Sequence, residues 1–169
     1  KLDLLLALRE SEIVTWSGEK RAPINGRGVY PRPLQEALPV WIAVGGTPQS
    51  VARAGAMGLP VALAIIGGEY RRFAPLFDLY REAARRAGQP LEKQKTSINV
   101  HGFIADTTDK AADQFYGPQA EVMNRIGRER GWGPTNRAHY DMARSAEGNL
   151  FLGEPELVAE KIIKAHGVF

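Results

Sequence analysis

Pro39-Val40-Trp41-Ile42-Ala43-Val44-Gly45-Gly46-Thr47-Pro48-Gln49-Ser50 is the stretch that decides the fold. Val40, Ile42 and Val44 form a short apolar run between a proline and a glycine pair, the pattern of a parallel strand buried on both faces. Thr47 suits the N-cap of a following helix and Pro48 its first turn. Gly45 and Gly46 allow the backbone to approach a bound molecule closely. The free N–H groups of a helix start, with the hydroxyls of Thr47 and Ser50, make an anion site. Val44, Gly45, Gly46, Thr47 and Ser50 are therefore a candidate phosphate cradle at the carboxyl end of a strand, where α/β proteins bind their ligands. The same residues also read as a plain strand–turn–helix junction, since they match neither the Walker pattern nor the Rossmann glycine spacing.

Working outward, residues 48–57 read as a short helix stopped by Gly58. Residues 61–66 (VALAII) read as a second buried strand, again followed by a glycine pair, Gly67-Gly68. Phe73, Leu76, Phe77, Tyr80, Ala84 and Ala87 fall at helical spacing, and Gly88 ends that helix. Residues 97–105 are the third strand. Thr107 or Thr108 caps a helix to about Tyr116, with an interruption predicted at Gly117-Pro118 and a second helical segment over 119–130. Residues 131–150 are glycine-rich and polar and read as a lid-like insertion, and Gly153-Glu154-Pro155 opens a last helix. On the N-terminal side, residues 1–10 continue a helical pattern. Residues 11–38 read as irregular, with a short extended piece at Val14 and Trp16.

Alternation of strand and helix predicts an α/β fold with parallel strands near 39–44, 61–66 and 97–105. Three strands do not close a (β/α)8 barrel of TIM type but supply part of one. We expect residues 1–169 to form a single partial domain. The chain opens inside a helical pattern and closes just past a helix, so it reads as a piece of a longer protein.

Composition narrows the function classes. The 169 residues carry a net charge of +3 and no cysteine, which excludes disulfides, thiolate metal sites and a cysteine nucleophile. No apolar run is long enough to span a bilayer and no signal pattern opens the chain, so a cytoplasmic protein without a membrane partner is expected. The arginines are scattered along helices as solvated faces are, and no nucleic-acid partner is expected. No histidine pair has metal-ligand spacing, so no metal is expected. Trp16, Trp41 and Trp132 read as packing residues. Arg125 and Arg128 share a helix face and either meet an anionic substrate or bridge to nearby acids.

The third strand carries the most chemistry. Alternation sends Asn99, His101 and Phe103 to one face and Ile98, Val100, Gly102 and Ile104 to the other. Polar side chains within an apolar strand point to a cavity. His101 there is suited to donate a hydrogen bond or to shuttle a proton near neutral pH. A histidine bonded to a backbone carbonyl is the competing reading.

Taken in order, residues 39–50, Ala54-Gly55-Ala56-Met57-Gly58-Leu59-Pro60, residues 98–107 and residues 151–159 resemble the bacterial luciferase-like flavin-dependent monooxygenases. The resemblance covers most of the chain and implies the C-terminal half of a (β/α)8 barrel, often dimeric. It implies that residues 46–50 hold the phosphate of reduced FMN or, in one branch, of the deazaflavin F420. It implies a two-component oxygenation, in which a separate flavin reductase supplies reduced FMN and one oxygen atom passes to a small-molecule substrate. His101 matches a histidine that would stabilise or protonate the flavin's oxygen adduct. Asn99 stands where alkanesulfonate-type members carry an arginine, which argues against a sulfonate-like substrate. Residues 131–150 correspond to a mobile loop over the flavin. The alternatives are an F420-dependent hydride-transfer enzyme on the same fold and a catalytically inert flavin-binding half-barrel.

Overall fold

The computed structural model describes residues 1–169, which fall into two compact units, Lys1–Val40 and Trp41–Phe169. The first unit holds helix α1 (Leu2–Glu10) and a hairpin of β1 (Ile13–Trp16) and β2 (Ile24–Gly28), paired antiparallel with Ile13 opposite Gly28 and Trp16 opposite Ile24. Val14 is its buried anchor. The guanidinium of Arg32 donates to the carbonyls of Leu8, Arg9 and Ser11, acceptors at the end of α1 that the helix leaves unpaired. The extended piece read at Val14 and Trp16 is thus half of a hairpin. Its partner, INGRG, carries two glycines and no apolar alternation, so nothing in it announces a strand.

The second unit is α/β. Strands β3 (Ile42–Val44), β4 (Val61–Ala64) and β5 (Thr96–Asn99) form a parallel sheet in that order. They are connected through α2 (Pro48–Ala56) and α3 (Ala74–Arg86). Strand β6 (His101–Ile104) pairs in parallel with β7 (Leu150–Gly153). Between these two strands the chain runs through α4 (Thr108–Arg130) and α5 (Arg137–Arg144), and it ends in α6 (Pro155–His166).

Burial follows the pleat. Val44, Val61, Leu63 and Ile65 are buried and join Val51, Ala54, Phe77 and Tyr80 of α2 and α3 in the main core. Ala43, Ala62 and Ala64 alternate to the other face. Gly55 is where α2 and α3 touch backbone to backbone: a Cβ there would lie 2.3 Å from the Tyr80 carbonyl oxygen. The Tyr80 hydroxyl, buried with its ring, donates to the Leu59 carbonyl at 3.1 Å. A second core gathers Ala111 and Ala112 of α4, Tyr140 of α5, and Leu150 and Leu152 of β7.

The structure corrects the strand boundaries. The first strand starts at Ile42, where pairing begins with its N–H donating to the Pro60 carbonyl at 2.8 Å, and Trp41 is left 42% exposed. The second ends at Ala64. The third breaks at Val100 because the chain changes partner there, from β4 to β7. The interruption predicted at Gly117-Pro118 is absent, and α4 runs through it. The carbonyl that Pro118 leaves without its helical donor is that of Gln114, an exposed residue that water reaches. The buried alanines of the preceding turns hold the axis. The sequence reading missed β7, four consecutive buried residues without alternation, and it missed α5 inside the segment read as a lid.

Candidate functional site

At the carboxyl ends of β3 and β4 the chain turns back through the two glycine pairs. Gly46 sits at φ +102° and Gly68 at φ +79°, backbone that a side chain would strain. No atom lies within 4 Å of where a Cβ would stand on Gly45 or Gly67, so this rim is open.

Three elements cover it. The Thr107 hydroxyl caps α4 by accepting from the Lys110 N–H at 3.2 Å, and Gly131, at φ +72°, ends that helix. The segment after it is tied back, with Trp132 N–H donating to the Gly127 carbonyl at 2.9 Å and Thr135 N–H to Asn124 Oδ1 at 2.7 Å. Asn136 then starts α5, its Oδ1 accepting from the His139 N–H at 2.9 Å.

Between rim and cover lie two adjoining lobes, both bordered by Ile66, Gly67, Met123, Thr135 and His139. The first, about 500 Å³, is closed by Gly45, Ala64, Phe73, Arg130, Trp132 and Pro134. The Arg130 guanidinium stands 5.5 Å from the Trp132 ring. The second, about 640 Å³, adds Glu69, Arg72, Gln119, Tyr140, Met142 and Asn149. An isolated bridge between Glu69 and Gly148 joins two stretches of its wall.

The sequence-predicted residues divide. Gly45 lines the first lobe, and Gly46 makes the turn beside it. Val44 is 4% exposed and belongs to the core, where it fixes the strand end rather than offering a side chain. Thr47 is exposed and occupies the N-cap position of α2, yet its hydroxyl makes no cap hydrogen bond. The Ser50 N–H turns back to the Thr47 carbonyl at 3.1 Å. Asn99 ends β5 with its carbonyl accepting the Ile65 N–H at 2.9 Å, and His101 opens β6 half-buried; neither lines either lobe. The imidazole that borders both lobes is that of His139. Trp132, read as a packing residue, is 42% exposed and lines the first lobe.

The charges of α5 and of Glu147 are paired. Asp141 lies below the usual carboxylate range through its hydrogen bond to Arg144 and the nearby Arg137. Glu147 lies low through Lys164 and Arg71. Arg137 bridges to Asp113 at 3.1 Å and stacks over the Tyr116 and Tyr140 rings. Burial raises the Tyr140 phenol, whose hydroxyl donates to the Ala112 carbonyl at 2.9 Å. That tyrosine is a packing group. Behind the cover, Lys161 is 3% exposed and donates to the carbonyls of Arg144, Ser145 and Leu150. Burial pushes its ammonium down to about 8.

The residues present fit a flavin or deazaflavin phosphate ester. A helix start without a side-chain cap follows a glycine turn, beside an open rim that leads into a lobe walled by Phe73 and Trp132. No helix is long and apolar enough to cross a membrane.

Comparison with known proteins gives the family and the fold. A family model described as luciferase-like monooxygenase matches residues 1–168. No curated protein matches the sequence. Among solved structures, a monooxygenase from Streptomyces bottropensis superposes with a TM-score of 0.71 at 23% identity, over 99% of this chain and 49% of its own. An F420-dependent secondary alcohol dehydrogenase, in complex with an F420–acetone adduct, gives 0.70 at 16%, over 99% and 51%. The oxygenating constituent of 3,6-diketocamphane monooxygenase from Pseudomonas putida, in complex with FMN, gives 0.58 at 18%, over 99% and 52%. The chain therefore spans about half the length of the solved structures it matches, and its strands and helices follow part of a TIM-type barrel.

Proposed function

The chain belongs to the luciferase-like monooxygenase family, and from that premise we propose that it is the cofactor-holding part of an oxidoreductase that uses reduced FMN and dioxygen to oxygenate a small organic substrate. The observation that carries this reading is the uncapped start of α2. Pro48 has no N–H and the Ser50 N–H meets the Thr47 carbonyl, but the Gln49 N–H and the Thr47 hydroxyl have no side-chain partner, and they follow a glycine turn at the rim of an aromatic-walled lobe. Such a helix start favours a phosphate.

When bound, the reduced flavin supplies the redox chemistry. The chain's own residues do the rest. Gly45 and Gly46 let the backbone approach the ligand, Thr47 and the first turn of α2 receive its phosphate, and Phe73 and Trp132 wall its ring. The cover of α4, residues 131–136 and α5 excludes water, which strengthens every polar contact inside. His139, bordering both lobes, is placed to hold or pass a proton between cofactor and substrate. His101, to which the resemblance gave the proton, and Asn99 line neither lobe, so this reading places the proton on His139. A flavin reductase and a second copy of the chain are the partners this reading brings with it.

Fluorescence titration of FMN against the 169-residue chain tests the proposal. Saturable quenching that weakens at least about tenfold in Thr47→Ala plus Ser50→Ala, with folding unchanged by circular dichroism, supports it; a tenfold loss is about 1.4 kcal/mol. Equal binding by the double variant removes the phosphate assignment. F420 is the second reading, because the secondary alcohol dehydrogenase that shares the fold binds it. Saturation by F420 and not by FMN would select hydride transfer instead.

A further inference from the structure

The second lobe contains an unanswered acceptor. Asn149 is 2% exposed, and its Nδ2 donates to the Ile65 carbonyl at 3.4 Å. Its Oδ1, buried on the lining of the lobe, has no hydrogen-bond partner. Gln119 of α4 lines the same lobe with a buried Oε1 that is also unpartnered. Buried polar atoms are paired as a rule, so two unpaired acceptors on one lobe call for a donor, from water or from a ligand. The lobe's fixed charges, Glu69 and Arg72, are exposed and opposite in sign, so they give it no net charge. Much of the remaining wall is apolar and adaptable, with Met123 and Met142.

We propose that this lobe is the substrate subsite and that it selects a small neutral molecule with a hydroxyl or N–H that donates to the amide oxygen of Asn149, a second donor hydrogen, where the molecule has one, going to that of Gln119. An acceptor-only analogue of the same shape leaves both oxygens unpaired, which is the strongest form of discrimination a pocket has. The assignment of this lobe to substrate rests on the proposed function, in which the first lobe takes the cofactor.

The test pairs cyclohexanol with cyclohexanone, which differ in donor capacity but hardly in shape. Each is titrated into the 15N-labelled 169-residue chain, following the Asn149 side-chain amide signal, identified by its loss in Asn149→Ser. Cyclohexanol is expected to shift that signal saturably and to bind about tenfold more tightly than cyclohexanone, the effect of one hydrogen bond. Gln119→Leu on the half-buried face of α4 is the second arm: it is expected to keep the tenfold preference, because the one hydrogen of cyclohexanol goes to Asn149, and a fall to about threefold or less would overturn that assignment. Equal affinity for the two probes, or no shift of the Asn149 amide, overturns the inference and leaves a pocket filled by water only. FMN is titrated into the same samples. FMN binding without probe discrimination defeats this inference alone. Probe discrimination without FMN binding defeats the proposed function and leaves the donor-selective pocket standing.

Discussion

At the scale of single residues, the chain separates side chains that hold structure from side chains left free for a ligand, and hydrogen bonding rather than residue type makes the separation. Thr107 and Thr47 both precede a helix, but only Thr107 caps its own. Lys161 shows the same logic in a charged group. Its ammonium satisfies the carbonyls of Arg144 and Ser145 at the end of α5 and of Leu150 in β7, so it fastens the cover of the cavity to α6. Desolvation holds its folded pKa near 8, below the 10.5 of an exposed lysine, with Glu147 opposing the shift and Lys164 adding to it. A base with a depressed folded pKa binds fewer protons when folded than when unfolded between these two values. Stability from this group therefore rises with pH from about 8 to about 10.5, and below 8 the full burial penalty applies. Lys161→Met takes the ammonium away from three carbonyls, of which that of Ser145 keeps the Gly148 N–H, and is expected to cost about 1–3 kcal/mol at neutral pH. Urea unfolding of both proteins at neutral pH and near pH 10 checks this. The gap between them should widen at the higher pH, and a constant gap would mean that Lys161 does not titrate in that window.

At the scale of elements, α2 and α3 owe their placement to Gly55. A Cβ there would meet the Tyr80 carbonyl oxygen at 2.3 Å and the Ala84 nitrogen at 3.2 Å. Backbone gives way far less readily than the end of a side chain. Gly55→Ala gains in helix propensity, yet it should lose about 1–3 kcal/mol from overpacking. Thermal unfolding should show a lower midpoint; a rise would mean that the two helices separate without penalty. Elements were legible in the sequence where one physical signal dominated. β3 and β4 are short apolar runs closed by glycine pairs, and α3 has an unbroken apolar stripe. β7 was not legible, because Leu150, Phe151, Leu152 and Gly153 are all buried and show no period. Pro118 misled because the cost of a proline inside a helix depends on whether its orphaned carbonyl reaches water. His139, Gln119 and Asn149 lay on helix and loop segments whose spacing encodes nothing of the cavity they share. The glycine rim was readable locally because its chemistry is contiguous in the chain.

At the scale of the whole molecule, the fold class and family were carried by the order of strand, glycine turn and helix, repeated along the chain. What the chain leaves exposed was less legible. The second unit presents a groove of about 930 Å³ along the helix-facing side of β5 and β6, lined by Ile98, Val100, Ile104, Phe151, Ile162 and Phe169 among others. Ile104 and Ile162 are each more than half exposed. Strand β5 has a hydrogen-bonded neighbour on only one edge, β4. A continuous apolar groove beside open strand edge is a surface that associates. The chain alone is therefore expected to raise the fluorescence of an anilinonaphthalene sulfonate dye in native buffer. It is also expected to sediment faster as its concentration rises, as the homodimer of the proposed function requires. Ile104→Lys and Ile162→Lys place charge on the groove without touching either buried core, so they should lower the dye signal and shift sedimentation toward the monomer while the circular dichroism spectrum stays the same. Were both variants to keep the dye signal and the association, the contact would lie elsewhere, and the open strand edges rather than the apolar groove would be driving it.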